Sequence, residues 1–335
     1  MALADIEKKY DLMNEACELL QEKLQDDCLD ALIESFDNLL NDRKVHVEDG
    51  IPDEKTASKL AEIYRAVRLD EISTEDRRLL LQLSLLTVYR KEKIQANHQM
   101  TPDSIGFLTA YLLQQVYEKK DETNFLDLCV GTGNLAAVVI NALKNNGFKN
   151  IHGFGIDNDD TLLTIASIES QLCDLDLNLY HQDALDKSLI PQADVIVSDL
   201  PVGWYPLDER AEGYETHAKE GHSFVHFLLI EQALDNLKEG GIGMFLIPSS
   251  MFESKESLPL LKFIQKNGYL QSLINLPGAM FASKKSEKAI LILQKKGAKS
   301  KQANPVLLGE FPLVKDTKNF EKFMAEVAVW KEKNF

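Results

Sequence analysis

Four stretches of this chain carry residue types that could hold a small polar ligand. The first is Phe125-Leu126-Asp127-Leu128-Cys129-Val130-Gly131-Thr132-Gly133-Asn134-Leu135, an apolar strand pattern that breaks into a two-glycine turn and resumes as an apolar helix. Glycines let the backbone swing tightly and expose its N–H groups, and the helix behind them points its positive dipole end at the ligand. The other three are acids that each close an apolar run, Asp157, Asp183 and Asp199. Asp157 lies 24 residues beyond Gly133, where a carboxylate can accept both hydroxyls of a ribose, and Asp183 would then face an adenine amino group. Taken singly, a strand-end Asp is more often a helix N-cap. Their coincidence at successive strand ends is what points to a nucleotide-type site. Gly131-x-Gly133-x-x-Ala136 also fits the relaxed dinucleotide fingerprint, so these residues leave the ligand open.

Other candidate groups are weaker. His222 and His226 stand four apart, but no HExxH pattern accompanies them, so they read as core or lid contacts and no metal is expected. Lys284, Lys285 and Lys288 read as a solvated basic turn, with a phosphate contact near a substrate mouth as the alternative. The four cysteines, Cys17, Cys28, Cys129 and Cys173, form no CxxC pair and read as reduced core thiols.

The elements that must position these residues follow from hydrophobic periodicity. Residues 1–95 hold one glycine and one proline, Gly50 and Pro52, and read as a helical domain. Its helices cover one or two long runs before residue 40, then about 54–69, then a run through Lys91 capped by Ser73. A boundary falls between Lys93 and Asp103, and a helix from about 103 to 119 begins the next domain, residues 96–300. There, strands at about 125–129, 151–157, 177–183, 193–199, 240–248, 270–276 and 289–294 alternate with helices at about 134–145, 159–173, 223–237 and 256–267. Such alternation predicts a mainly parallel sheet covered by helices, with ligands at the carboxyl ends of its strands. Residues 203–221 form a long polar loop, the kind that serves as a lid. Residues 301–335 read as a short strand and a helix that extend the core.

Charge is unevenly spread. The net charge of −16 divides into −8 for residues 1–100, −14 for 101–275 and +6 for 276–335. Duplex DNA binding depends on neutralising phosphates with Lys and Arg, so the acidic middle segment argues against strong autonomous binding to nucleic acid. No run of about 18 uncharged apolar residues appears and the first residues lack a signal-peptide pattern, which together predict a cytoplasmic protein with no membrane partner.

Thr101-Pro102, Asp127-x-x-x-Gly131-x-Gly133, Asp157, Asp183 and Ser198-Asp199-Leu200-Pro201, in that order, resemble the ordered motifs of class I S-adenosylmethionine-dependent methyltransferases. More narrowly they resemble the N6-adenine DNA methylase branch, the modification subunits of type I restriction systems and the YtxK-like group, over roughly residues 95–300. The resemblance implies an α/β fold, a Rossmann-like methyltransferase with a mostly parallel seven-stranded sheet, plus an N-terminal all-α domain. It implies S-adenosyl-L-methionine as cofactor and the N6 amino group of adenine in DNA as methyl acceptor. Gly131 and Gly133 would admit the methionine part, Asp157 the ribose, Asp183 the adenine, and Thr101-Pro102 the amino-acid end. Asp127, Asn134, Asn158 and Ala184 complete the cofactor side, while Asp199 and Pro201 would line the acceptor side, with Leu200 beside them.

One motif departs from the family pattern. The acceptor motif there is Asp or Asn, two prolines and an aromatic, whereas this chain has Asp199-Leu200-Pro201-Val202. Trp204, Tyr205 or Phe281 are the rings at hand to stack a flat acceptor. Three alternatives stay open: a nicotinamide-dependent dehydrogenase, a cofactor-binding module acting through a protein partner, and a methyltransferase of a protein or small-molecule amide. A separate recognition subunit, or a homodimer formed through residues 1–95, are the expected protein partners.

Overall fold

The computed structural model describes residues 3–25, 27–92, 99–187, 190–253, 255–313 and 315–335. The domain boundary expected at residues 95/96 lies outside the described residues. The chain divides into two compact units, residues 1–99 with 161–175, and residues 100–160 with 176–335. Thus the segment after Asp160 belongs with the N-terminal helices, a discontinuity that a linear reading of the sequence does not contain.

The first unit is built from α1 (Leu3–Leu24), α2 (Cys28–Leu40), α3 (Glu54–Val67), α4 (Thr74–Lys91) and most of α7 (Asp160–Leu172). Local chemistry starts these helices. The carboxylates of Asp27 and Asp53 and the hydroxyl of Ser73 accept the N–H of Asp30, Thr56 and Asp76, satisfying donors that a helix start leaves orphaned. Met13, Leu20, Leu32, Phe36, Leu60, Tyr64, Leu80, Leu81 and Leu85 are fully buried, each less than 2% exposed or nearly so, and form the core. The Tyr64 hydroxyl lies 3.0 Å from Ser35, so its polar tip is satisfied within that core.

The second unit opens with α5 (Asp103–Val116) and continues through β1 (Thr123–Asp127), α6 (Asn134–Asn145), β2 (Ile151–Asp157), β3 (Leu177–His181) and β4 (Ala193–Asp199). It goes on with α8 (Asp208–Ala211), α9 (Val225–Asn236), β5 (Leu237–Pro248), α10 (Leu258–Asn267), β6 (Gly268–Asn275), β7 (Lys288–Lys295), β8 (Leu307–Glu310) and α11 (Thr317–Asn334). The eight strands among the described residues form one sheet in the order β3-β2-β1-β4-β5-β7-β6-β8. β7 runs antiparallel between β5 and β6, and the other neighbouring pairs are parallel. Central strands are buried on both faces, as parallel strands covered by helices must be: Val195, Ile196 and Val197 of β4 are completely inaccessible.

The second unit differs from the sequence expectation at several element ends and in its number of strands: β3 ends at His181, β5 begins at Leu237 and α5 ends at Val116. β1 stops at Asp127 rather than 129, because the Asp127 carboxylate accepts the Cys129 N–H at 3.1 Å and turns the chain out of the ladder. The sheet has an eighth strand because the short strand of the tail, β8, pairs in parallel with β6. Strand order reverses at β1, whose partners are β2 and β4, and the carboxyl ends of these strands open toward the site.

Candidate functional site

Sheet register aligns the expected acids. Asp127 pairs with Gly155, Asp157 with His181, and Asp199 with Leu246, so the carboxyl ends of β1, β2, β3 and β4 lie along one edge. Side-chain bonds then tie them together. The Gly131 N–H donates to Asp157 Oδ2 at 2.8 Å, and the Asp159 N–H donates to Asp157 Oδ1 at 3.0 Å. Asn134 Nδ2 donates to the Thr101 carbonyl at 2.6 Å, and the Thr101 hydroxyl donates to Asp199 Oδ2 at 2.9 Å. Thr101 therefore links the start of α6 to the end of β4 across 98 residues of chain.

The glycine turn is shaped for a ligand. Gly131 and Gly133 have φ of +52° and +83°, and a Cβ built on Gly131 meets no atom within 4 Å. Both angles lie where L side chains are strained. Gly133 is the N-cap of α6 and brings no side chain to its first N–H groups, which leaves them for an incoming acceptor. Asp127 is fully buried, and its Oδ2 has no hydrogen-bond partner among the described residues. Burial is the largest cause that pushes its carboxyl up to about 7, and the charges of Asp157 and Asp199 add to it. Burial likewise raises Asp157 above the usual carboxylate range, against the hydrogen bonds from Gly131 and Asp159. Cys129 records the convergence best: after burial, the causes that push its thiol well up are the charges of Asp127, Asp157, Asp199 and Asp183.

Asp183 lies in the loop after β3. Its Oδ1 accepts the Leu185 N–H at 2.9 Å and its Oδ2 accepts the Tyr205 hydroxyl at 2.6 Å. Ala184 is buried beside it, and Asn158 and Pro102 are exposed. Arg210 of α8 lies 3.6 Å from Asp183 and 2.7 Å from Asp186, and the Tyr214 hydroxyl donates to the Leu185 carbonyl at 2.7 Å. The long loop after β4 is thus fastened to the loop that carries Asp183.

In the segment expected to line the acceptor side, Leu200 is buried, Pro201 is half-buried and Val202 is exposed. Of the three candidate rings, Tyr205 is only 5% exposed with its hydroxyl on Asp183, so it is not a free stacking surface. Trp204 is 58% exposed and stacks on Phe224 with ring centroids 3.9 Å apart. Backbone bonds from Tyr205 to Ser223 and from Val225 to Gly203 hold that pair. Phe281 is half-buried in the segment that leaves β6 at the same edge.

Two residues of the site, Phe224 and Lys288, are absent from the sequence reading or differ from it, and His226 is the core or lid contact expected. Phe224 backs Trp204. Lys288, expected in a solvated turn, forms an ion pair with Asp199 Oδ1. His226 is buried against Phe224 and Phe227 and donates to the Pro201 backbone, which offers only a carbonyl. Its Nδ1 has no partner among the described residues. His222 pairs instead with Asp208 at 2.9 Å.

Burial pulls His226 down from 6.5 to about 4, the Pro201 bond opposing it. Because the folded state holds this ring neutral, its contribution is complete above pH 6.5 and is lost as pH falls toward 4. That loss amounts to about 3 kcal/mol. Denaturant unfolding between pH 7 and 4 should show it in the wild type and not in His226→Gln; parallel pH profiles would contradict it.

The chain is similar to known proteins over most of its length. The N-6 DNA Methylase family model matches residues 84–328, and the YtxK N-terminal helical domain model matches residues 7–88. The chain is 37% identical to YtxK of Bacillus subtilis over 324 residues, covering 97% of each protein. Among solved structures, a Listeria monocytogenes protein assigned to the class I S-adenosylmethionine-dependent methyltransferases superposes with a TM-score of 0.90 at 38% identity, over 98% of this chain and 100% of that one. The methyltransferase subunit of a type I restriction-modification system from Streptococcus thermophilus shares the fold, with a TM-score of 0.63 at 14% identity over 96% of this chain and 74% of that one. No helix among the described residues is long and apolar enough to cross a membrane. The family model spans most of the chain and the Bacillus subtilis relative nearly all of it, and the chain belongs to the N-6 DNA methylase family.

Proposed function

We propose that this chain is an S-adenosyl-L-methionine-dependent N-methyltransferase whose acceptor is the N6 amino group of adenine in nucleic acid. The observation that carries the cofactor is geometric: Asp127, Asp157 and Asp199 close neighbouring strands along one edge, Asp183 follows the next, and Asp157 accepts the Gly131 N–H of the glycine turn. Such a crevice suits a ligand with a sulfonium and an ammonium group. It disfavours a dinucleotide with two phosphates, since like charges brought into a partly buried site repel strongly. The residues fit the group: Asp157 would accept its ribose hydroxyls and Asp183 its adenine amine. The open space at Gly131, the α6 N–H groups and Thr101 would receive its amino-acid end.

When bound, the cofactor supplies a methyl group on a positively charged sulfur. The chain's own part is positioning. An adenine amine has its lone pair delocalised into the ring, so it reacts only when acceptors draw on its hydrogens and hold it in line. Asp199 and the backbone carbonyl at Leu200 are the acceptors for that task, and the His226 bond to Pro201 keeps the segment in place. Trp204, rigid on Phe224, offers the stacking face that Val202 lacks. Nucleic acid is the family-implied partner, met with the help of a separate recognition subunit or a second copy through the N-terminal helices, because the acidic core gives little affinity of its own.

Calorimetric titration with S-adenosyl-L-methionine and with NAD tests the cofactor reading; binding of NAD alone would overturn it. Trp204→Ala should weaken binding of an adenine-containing oligonucleotide to the product-loaded protein by about 1–3 kcal/mol, the usual value of one base–aromatic stack. An unchanged oligonucleotide affinity would move the stacking surface elsewhere, with Phe281 the next ring to replace.

A further inference from the structure

The acceptor carboxylate already has a cation on it. Asp199 Oδ2 receives the Thr101 hydroxyl, and Asp199 Oδ1 receives the Lys288 ammonium. Lys288 is the first residue of β7, opposite Pro248 of β5, and β5 is paired with β4 at Leu246 and Asp199. Because β7 is antiparallel, its beginning lies at the edge where β4 ends. Both members are only partly covered, with side chains 26% and 20% exposed. The turn leading into β7 carries two more lysines, Lys284 and Lys285, both exposed, in the one segment of the chain with net positive charge.

This arrangement constrains what can enter. An amine that approaches Asp199 meets an ammonium engaging the same oxygen, and a carboxylate neutralised by a lysine draws less on the hydrogens of a neutral amine. Displacing Lys288 strands a half-buried ammonium, which is costly unless another anion receives it. A lysine can make that exchange, since its compact charge rides on a flexible four-carbon stem. A nucleotide brings the amine and the anion together; a free nucleoside brings only the amine.

Resting on the adenine reading above, we infer that Lys288 stands in for the acceptor amine on Asp199 and is handed to an acceptor phosphate when a nucleotide enters, so that the site selects phosphate-bearing acceptors. Lys288 is thus a specificity residue, and Lys284 and Lys285 extend the same phosphate-facing turn.

The test uses the full chain saturated with S-adenosylhomocysteine and two probes, 2′-deoxyadenosine and its 3′,5′-bisphosphate, titrated into the wild type, Lys288→Met and Lys288→Arg. The wild type should prefer the bisphosphate by about tenfold or more, the value of one charge-assisted hydrogen bond. Lys288→Met should bind the nucleoside more tightly than the wild type and lose most of the preference, and Lys288→Arg should keep it. The salt dependence of bisphosphate binding should also fall by about one charge in Lys288→Met. An equal preference in the wild type and both variants, with melting curves showing all three folded, overturns the role of Lys288. Absence of binding by either probe to any of the three proteins, with S-adenosylhomocysteine still bound, overturns the adenine reading and the phosphate hand-over together.

Discussion

Asp157→Ala should weaken S-adenosyl-L-methionine binding by about 1.5–3 kcal/mol, the range for a carboxylate that accepts hydrogen bonds from a ligand. The upper end is expected here because the same carboxylate accepts the Gly131 N–H at 2.8 Å and the Asp159 N–H at 3.0 Å. On the proposed reading its removal takes away the ribose acceptor and loosens the turn that would receive the methionine part. Asp157→Asn keeps one acceptor oxygen and should lose less. Calorimetry with the cofactor and its demethylated product measures both, and melting curves separate a lost contact from a lost fold. An affinity unchanged in Asp157→Ala would place the cofactor outside this crevice.

Asp199→Ala should have the opposite signature. Methyl transfer should fall by about 10²–10³ in kcat, or about 2.7–4 kcal/mol, as when one preorganised group facing the reacting centre is deleted. Cofactor affinity should stay within a few-fold of the wild type. One competing explanation comes directly from the ion pair: the variant leaves Lys288 without its carboxylate, and a stranded charge can damage a site by itself. The double variant Asp199→Ala/Lys288→Met separates the two effects. If the missing acceptor causes the loss, the double variant stays as slow as the single one; recovery to near the wild-type rate would assign the loss to the lysine.

These two substitutions act on residues that strand-end position alone brings forward, whereas the bonds they make to Gly131, Thr101 and Lys288 were hidden. Each expected acid does close or follow a strand on the common edge, and the expected helices of both units form, with Ser73 capping α4 as anticipated, whereas α5 starts after Pro102 with no side-chain cap. What differs has a physical reason in each case. Asp127 ends β1 early because its side chain competes for the Cys129 N–H. Tyr205 and Trp204 are neighbours with similar apolar character, yet one turns inward to Asp183 and the other outward over Phe224. Alternation of side chains in the short pairing of residues 203–205 with 223–225 decides which, and that pairing spans a loop of about 20 residues with no periodicity to reveal it.

Sequence by itself determined the local chemistry of this protein: a glycine turn between strand and helix, acids at strand ends, and a helical N-terminal segment. These follow from periodicity, caps and turn residues, which act over a few positions. Only the tertiary structure decided which strand runs backwards. A strand reads the same in either direction, so no pattern in Ala289-Ile290-Leu291-Ile292-Leu293 announces that β7 enters the sheet antiparallel. That reversal carries Lys288 to the acceptor edge and sets its ammonium on Asp199, 89 residues away in the chain.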